Sequence, residues 1–228
     1  MEWRHNSVMY QLHFSPSSAA MAPHILLQEL GVPFEKVLVD TSTGAHRSEA
    51  YRKLNPNGLI PTLVDGDLVL YETAAICMHL CDTHPEAGLA PPVGTTERAH
   101  FYKWLVWLTN TMQSTLIIYF YTDRWMDAGN NAGVAELKSH AEAKVGLMLD
   151  QLDAELARLE KIYDQPWLLG AKYSAVDIYT LTLCRWTRNF ASKPARDRVH
   201  LGAYLKRALA RPAVIKAFQE EGLARPWV

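Results

Sequence analysis

A proline at the start of a predicted strand is the feature of this sequence that most directly suggests ligand chemistry. Pro61 lies in the segment Asn55–Leu63, and proline has no backbone N–H to contribute to a sheet. If the peptide bond before it is cis, the N–H and C=O of Ile60 become available to pair with an extended peptide ligand, as an added strand does. A trans proline at the beginning of a strand is the alternative, and base rates alone favour it.

Glu72 and Thr73 lie where a predicted strand ends and a predicted helix begins. The first turn of a helix has backbone N–H groups without partners, and these groups attract anions. A carboxylate and a hydroxyl at that point are therefore suited to the charged end of a small ligand. For an isolated Glu-Thr pair, helix capping is the simpler interpretation.

Three serines, Ser15, Ser17 and Ser18, come just before the first predicted helix. Proline is tolerated in a first helical turn but not deeper, so Pro23 places the start of the regular helix near Ala20. Ser17 and Ser18 then precede the helix, where a hydroxyl can donate to a reacting group. The alternative is that such a serine caps the helix by accepting from its backbone N–H groups.

These residues are positioned by a short α/β pattern in the N-terminal third of the chain. Val8–Phe14 is predicted to be a strand, and an apolar helical pattern follows it and ends at Gly31. Phe34–Val39 is predicted to be a second strand, parallel to the first because a helix connects the two. A hairpin follows, with strands at Ile60–Val64 and Leu68–Tyr71 on either side of an Asp-Gly turn. The order is that of a small layered α/β domain, and the GxGxxG and P-loop nucleotide-binding motifs are absent from the sequence.

The chain divides into two predicted domains joined by a linker. Residues 85–95 are rich in proline and glycine, a composition typical of linkers. From residue 96 onward the spacing of apolar residues is helical, so residues 96–228 are predicted to form an all-α domain. Residues 1–84 form the predicted α/β domain.

The composition argues against several classes of function. The 228 residues carry 23 Lys and Arg against 24 Asp and Glu, a formal charge of −1, so neither nucleic acid nor an anionic membrane surface is an expected partner. The content of hydrophobic residues, 49%, is typical of a packed globular protein. Three widely spaced cysteines favour a reducing compartment, the cytoplasm, and their spacing predicts no metal site. Two of them, Cys77 and Cys81, are predicted to pack in the core.

Taken together, the motifs resemble those of the cytosolic glutathione transferases, in particular bacterial members with a serine in the active site. The similarity rests on NPNGLIPTL at residues 55–63, LYETAAI at residues 70–76 and SAVD at residues 174–177, and it extends over almost the whole chain. It implies a thioredoxin-like N-terminal domain, an all-helical C-terminal domain, and glutathione as co-substrate. It also implies that Pro61 belongs to the glutathione site and that the bond before it is cis.

The resemblance implies glutathione-binding roles for residues of the first domain. The backbone of Ile60 is expected to pair with the cysteinyl part of glutathione. The γ-glutamyl end is expected to bind with its carboxylate at Thr73 and its ammonium near Glu72. His46 and Arg47 stand at the spacing where several classes of the family hold the glycine carboxylate, although an exposed loop pair is the alternative.

Ser17 is the serine that similarity to the family selects for catalysis. Aligned without gaps from Phe34, the catalytic serine of the serine-using classes matches Ser17, which is expected to stabilise the glutathione thiolate. A bacterial class with a similar segment uses cysteine, but the matching position here is Ala19, which argues against mixed-disulfide chemistry. The reactive sulfur is therefore expected to belong to glutathione.

The resemblance also implies that the helical domain forms a pocket for an electrophile, with Gln113 and Trp186 at matching positions. The expected reaction is conjugation of the glutathione thiolate to a small apolar electrophile, for detoxification, by a cytoplasmic homodimer. The alternatives on the same fold are a glutathione-dependent isomerase, etherase or peroxidase, and a non-catalytic binding protein.

Overall fold

The chain forms two compact units in the computed structural model, which describes residues 9–228. The first unit comprises residues up to Gly88 together with Pro212–Leu223. The second comprises Leu89–Arg211 and Ala224–Val228. The change from the first unit to the second falls within the predicted linker.

The first unit contains a four-stranded mixed sheet. Its strands are Tyr10–Phe14 (β1), Phe34–Leu38 (β2), Thr62–Asp65 (β3) and Leu68–Tyr71 (β4). They lie in the order β2-β1-β3-β4, with β1 and β2 parallel, as predicted, and β3 antiparallel to both β1 and β4. Gly66 has a φ of 59°, which allows a two-residue turn to close the β3–β4 hairpin. The predicted beginning of β1 at Val8 lies outside the described residues.

Three helices accompany this sheet. They are Met21–Leu30 (α1), Glu49–Leu54 (α2) and Thr73–Thr83 (α3). α1 ends at Gly31, whose left-handed φ of 66° suits a residue without a side chain. α1 packs against α3 and β1, and the core includes the fully buried side chains of Leu12, Ile25, Leu63 and Ile76.

The second unit is built of helices. They are Thr96–Trp107 (α4), Ser114–Phe120 (α5), Asn131–Leu159 (α6), Ala175–Trp186 (α7) and Val199–Leu209 (α8). Apolar spacing predicts one helix over residues 96–121, but a π-helical turn, Leu108–Gln113, separates α4 from α5. Such turns occur often at functional sites, because they change the direction of the side chains that follow.

α7 is buried along its length and begins at a capping box, which the pattern Ser174-x-x-Asp177 predicts. The fully buried carboxylate of Asp177 accepts hydrogen bonds from the backbone N–H groups of Ser174 and Leu168, at 2.8 and 3.0 Å, and from the Tyr204 hydroxyl at 2.8 Å. Burial raises the pKa of the Asp177 carboxyl, and these donors oppose the rise. The motif holds the start of α7 in place.

The last helix lies in the region predicted to be all-α, residues 96–228, but its contacts group it with the first unit. This helix, Pro212–Glu220 (α9), begins at a proline, whose missing N–H and ring prevent α8 from continuing. α9 packs against α1. Its buried residues are Val214, Ala217 and Phe218. An amphipathic pattern predicts that this face is buried, but the pattern does not specify which core buries it.

The cysteines of the chain are core residues. Cys77, Cys81 and Cys184 are all buried, which confirms the packing role predicted for the first two. Burial raises the pKa of Cys77 well above its ordinary value and that of Cys184 to about 12, so these thiols stay protonated. Residues 9–228 contain no cluster of three or more His, Cys, Asp or Glu side chains arranged to hold a metal ion. None of the helices in that range has the length and apolarity needed to cross a bilayer.

Candidate functional site

Most of the predicted glutathione-binding residues meet at one edge of the sheet in the first unit. β1 leads into the loop that contains Ser17. β3 is antiparallel to β1 and is preceded by Ile60 and Pro61, while β4 is antiparallel to β3 and is followed by Glu72 and Thr73. In antiparallel pairs the end of one strand lies beside the start of its neighbour. The topology therefore gathers three distant segments of the sequence in one place.

Ser17 has a left-handed backbone conformation in the loop before α1, with a φ of 61°. This conformation is uncommon for a residue with a side chain, and it persists only where neighbouring contacts hold it. The backbone N–H of Ser17 donates to the carboxylate of Glu221, with 2.9 Å between N and Oε2. The side chain of Ser17 is half-buried.

The capping interpretation fits Ser18 rather than Ser17. The Ser18 hydroxyl accepts a hydrogen bond from the backbone N–H of Ala20 at 3.2 Å and donates to the carbonyl of Ser15 at 2.6 Å. Its donor and an acceptor position are thus engaged in the turn that leads into α1. Ser18 therefore stabilises the turn that precedes α1.

The peptide bond between Ile60 and Pro61 is cis, as the resemblance implies. β3 begins only at Thr62, so Ile60 lies outside the ladder of the sheet, and it is half-buried. The backbone of Ile60 makes no hydrogen bond with another residue in the described part of the chain. Its N–H and C=O therefore suit an extended ligand beside the sheet edge.

Tyr51 and Asn55 hold the peptide unit that precedes Ile60. The Leu59 carbonyl accepts hydrogen bonds from the Tyr51 hydroxyl and the Asn55 side-chain amide, each at 2.8 Å. Burial raises the pKa of the Tyr51 phenol, although its hydrogen bond with Thr62 opposes the rise, so the phenol stays protonated and can donate. The Leu59 C=O and the Ile60 N–H belong to one planar group. The two donors therefore also set the direction of the Ile60 N–H.

The loop that contains His46 lies against the segment that precedes β3. Gly58 has a φ of 60°, and a Cβ at this position would lie 2.9 Å from the His46 carbonyl oxygen, so the close approach requires glycine. His46 is half-buried, and its Nδ1 is buried without a hydrogen-bond partner among the described residues. Arg47 is exposed. The predicted basic pair thus lies close in space to the Ile60 segment.

Glu72 and Thr73 form the junction between β4 and α3. Glu72 is exposed and also has a left-handed φ, 74°, whereas Thr73 is buried. Glu72 occupies the N-cap position, but within residues 9–228 its side chain makes no capping hydrogen bond to α3. Helix capping therefore does not explain this pair. The first turn of α3 is able to bind an anion.

Gln113 and Trp186 lie in the second unit, where the π-helical turn that contains Gln113 packs against α7. The Tyr179 hydroxyl donates to Oε1 of Gln113. Seven residues further along each element, Trp186 of α7 packs edge-to-face against Phe120 of α5, with 6.2 Å between the ring centroids. Gln113 is half-buried, but Trp186 is only 9% exposed. The two predicted residues thus lie on elements of the second unit that pack together.

Sequence reasoning missed four residues that hold this site together. They are His24, Tyr51, Asn55 and Glu221. Buried polar groups need partners, so a histidine on the apolar face of a helix and an asparagine in a loop rich in proline and glycine are signals of such contacts. These signals identify the residue that needs a partner but not the partner itself.

Two family models match the chain, one in its N-terminal part and one in its C-terminal part. Residues 7–82 match the glutathione S-transferase N-terminal domain, and residues 111–212 match the glutathione S-transferase C-terminal domain.

Individual relatives and a solved structure agree with these matches. Glutathione S-transferase GST-4.5 of Xanthomonas campestris is 28% identical over 213 residues, which cover 93% of this chain and 99% of that protein. Glutathione S-transferase 3 of Zea mays is 30% identical, over 91% of each chain. The structure of a sphingomonad glutathione S-transferase complexed with glutathione has a TM-score of 0.78 and 31% identity, and covers 94% of this chain and 100% of that one. The chain therefore belongs to the glutathione S-transferase family, with a thioredoxin-like N-terminal domain and a helical C-terminal domain.

Proposed function

We propose that this protein conjugates the thiolate of glutathione, its co-substrate, to a small apolar electrophile. The glutathione thiol releases its proton to solvent, and the thiolate then attacks an electrophilic carbon to form a C–S bond. The bond between that carbon and the leaving group breaks, and the leaving group takes the bonding electron pair. The observation that carries the proposal is the convergence of Ser17, Ile60 and Thr73 at one edge of the sheet.

Glutathione binds along this edge as an extended tripeptide. Its cysteinyl part pairs with the backbone of Ile60, as an added strand pairs with a sheet. The γ-glutamyl carboxylate binds at Thr73 and the first turn of α3, and the ammonium binds at Glu72. The glycine carboxylate binds at His46 and Arg47. The uncapped start of α3 and the unpaired backbone of Ile60, both within the described residues, support this assignment.

Ser17 stabilises the thiolate by donating its hydroxyl hydrogen to the sulfur. An unperturbed thiol has a pKa of about 8.5, and lowering it by about two units requires roughly 2.7 kcal/mol. One hydroxyl that donates to a charged sulfur contributes about 1.5–3 kcal/mol, and the N-terminus of α1 adds about 0.3 kcal/mol or more. One serine is therefore sufficient in a partly desolvated site.

The electrophile binds in the second unit. Exposed aromatic side chains follow Gln113 along the chain and supply apolar surface; they are Phe120, Tyr121 and Trp125. Because Oε1 of Gln113 accepts from Tyr179, the amide NH₂ is the group that Gln113 can offer to a ligand. The ring of Trp186 packs edge-to-face against Phe120 and stabilises its position.

Replacing Ser17 by alanine tests the catalytic assignment. We expect Ser17→Ala to lower kcat at least tenfold, while glutathione binding measured by calorimetry is retained, because the hydroxyl acts on the sulfur and not on the ends of the tripeptide. Ser15→Ala and Ser18→Ala are the matched controls. Ser18→Ala should lower the melting temperature and should lower kcat less than Ser17→Ala does, since its hydroxyl supports the turn but does not contact the sulfur. Near-normal turnover by Ser17→Ala would move the catalytic role to Ser15 or Ser18.

A substrate panel tests the class of reaction. The panel consists of an aryl halide, an epoxide, a hydroperoxide and a maleyl compound, each assayed with glutathione. Conjugates formed from the halide or the epoxide support the proposal. Turnover of only the hydroperoxide or only the maleyl compound would replace conjugation by peroxidase or isomerase chemistry. Inactivity with all four, together with failure to bind immobilised glutathione, would mark a non-catalytic binding protein.

A further inference from the structure

A buried carboxylate next to α9 binds the loop that contains Ser17. Glu221 directly follows α9, and its side chain is 1% exposed. Its Oε2 accepts the backbone N–H of Ser17 at 2.9 Å. Its Oε1 lies 2.8 Å from Nδ1 of His24, on α1. Both oxygens of this carboxylate therefore have a specific partner in the first unit.

His24 holds Glu221 in this position. His24 is fully buried, and its Nε2 lies 3.0 Å from Oε2 of Glu220. An ionised carboxylate only accepts hydrogen bonds, so both ring nitrogens of His24 donate when both glutamates are charged. Nζ of Lys36 lies 3.3 Å from the same oxygen of Glu220. His24 and Lys36 thus alternate with the two glutamates in the cluster, so each carboxylate lies beside a nitrogen that can donate a hydrogen bond to it.

The hydrogen bond to Glu221 fixes the backbone of Ser17 on one side. The Ser18 hydroxyl, bonded to the Ser15 carbonyl and to the N–H of Ala20, fixes it on the other side. Ser17 has a left-handed φ of 61°, which needs such contacts to persist. With the backbone held on both sides, the direction of the Cα–Cβ bond of Ser17 is set, and its hydroxyl can move only by rotation about χ1.

We propose that Glu221, held by His24, is the positioning residue for Ser17. The inference rests on the proposed function, in which the Ser17 hydroxyl donates to the glutathione sulfur. Glu221 acts through the backbone of Ser17 and places the hydroxyl before glutathione binds, so that the loop does not have to be ordered during the reaction. This role requires no contact between Glu221 and the sulfur.

The pKa of the enzyme-bound glutathione thiol separates positioning from electrostatics. A negative charge near a thiolate raises the pKa of the thiol, so removal of the Glu221 charge alone would lower that pKa. Loss of a positioning contact has the opposite effect, because a loosened Ser17 hydroxyl stabilises the thiolate less. The ultraviolet absorbance of the bound thiolate, followed against pH, measures this pKa directly.

Glu221→Ala is the main variant, and Glu220→Ala is its matched control. Both remove a carboxylate that contacts His24, but Glu221 contacts Ser17 and Glu220 contacts Lys36. We expect Glu221→Ala to raise the pKa of the bound thiol by about one pH unit, a tenfold loss of thiolate, and to lower kcat by a similar factor. Glu220→Ala should leave the thiol pKa unchanged, even if it lowers the melting temperature as much as Glu221→Ala does. An unchanged or lowered thiol pKa in Glu221→Ala would overturn the inference.

Two further variants of Glu221 extend the test. Glu221→Gln keeps an oxygen that can accept from the Ser17 N–H, so it should restore most of the thiolate that Glu221→Ala loses. Glu221→Asp keeps the charge but withdraws the carboxylate by one methylene, and it replaces Glu221→Ala if that variant does not fold. Its thiol pKa should also rise, and a value equal to that of the unmodified enzyme would contradict the positioning role.

The double variant Ser17→Ala/Glu221→Ala distinguishes failure of this inference from failure of the proposed function. If Glu221 acts only through Ser17, the second substitution raises the thiol pKa no further than Ser17→Ala alone. A raised pKa in Ser17→Ala with no change in Glu221→Ala contradicts the positioning role only. An unchanged pKa in Ser17→Ala contradicts the proposed function itself, and the positioning role with it.

Discussion

At the scale of single residues, the peptide group between Leu59 and Ile60 shows how side chains can prepare a backbone site. Its carbonyl accepts from both Tyr51 and Asn55, so neither the oxygen nor the N–H on the other side of the plane is free to rotate. The donors come from α2 and from the residue that follows it, so both lie fewer than ten residues before Ile60 in the chain. A ligand that binds the Ile60 N–H therefore meets a group that is already oriented.

Loosening this peptide group should weaken glutathione binding more than turnover. We expect Asn55→Ala and Tyr51→Phe each to raise the Kd for glutathione about five- to tenfold, the effect of one hydrogen bond of about 1–1.4 kcal/mol, because the Ile60 contact is made in both the ground state and the transition state. Calorimetry gives the Kd, and saturation kinetics give kcat. Asn57→Ala, a substitution of an exposed side chain in the same turn, is the control. Equal affinity in all three variants would contradict the positioning of Ile60.

At the scale of elements, α7 and α9 show the difference between helices stabilised locally and helices placed by packing. The start of α7 is specified by a four-residue capping box that can be recognised in the sequence. α9 has a clear apolar face, but this face packs against α1, about 190 residues earlier in the chain. Tertiary contacts, and not a local pattern, therefore place α9 in the first unit.

Removing the carboxylate at the start of α7 should destabilise the fold before it affects chemistry. Asp177→Ala leaves several buried donors without an acceptor, including the N–H groups of Ser174 and Leu168, and we expect a loss of about 3 kcal/mol in the free energy of unfolding. Chemical denaturation measures this loss. The kcat of the protein that remains folded should change less than twofold. Asp164→Ala, at an exposed position, is the control. If the two variants were equally stable, the structural role of Asp177 would be contradicted.

At the scale of the whole molecule, each unit exposes apolar side chains. β4 is an edge strand, and its Leu68 and Val69 are 42% and 36% exposed. Tyr102 and Val106, one turn apart on α4, are 39% and 59% exposed. Exposed apolar pairs and open strand edges are typical of surfaces that another chain covers. We propose on this ground that the protein forms the homodimer that the family resemblance implies.

The oligomeric state can be measured directly. We expect sedimentation at micromolar concentration to report about twice the chain mass of 25.8 kDa. Val106→Asp should shift the equilibrium toward the monomer, because a charge placed in an apolar interface is costly to bury. Val93→Asp, at another exposed valine, should not. A monomer at all accessible concentrations would contradict the homodimer.

Much of the fold and part of the site could be predicted because their signals are local. Strand and helix periods, the turn at Gly66, the capping box at Asp177 and the proline at position 61 each act over a few residues. The grouping of α9 with the first unit was not foreseen, because an amphipathic helix carries no local signal for the surface that it packs against. The interruption of the predicted 96–121 helix by a π-helical turn was missed for the same reason, since packing against α7 accompanies it.

Short motifs were enough to indicate the family, to predict a two-part organisation and to identify the segments that we propose bind glutathione, because such motifs act locally in the sequence. The contact that holds Ser17 in place, by contrast, could be seen only in the folded protein. The Ser17 N–H and the Glu221 carboxylate are 204 residues apart in the chain, and they meet because α9 returns to pack against α1. A hydrogen bond between such distant residues depends on the packing of both elements, and no local pattern encodes it.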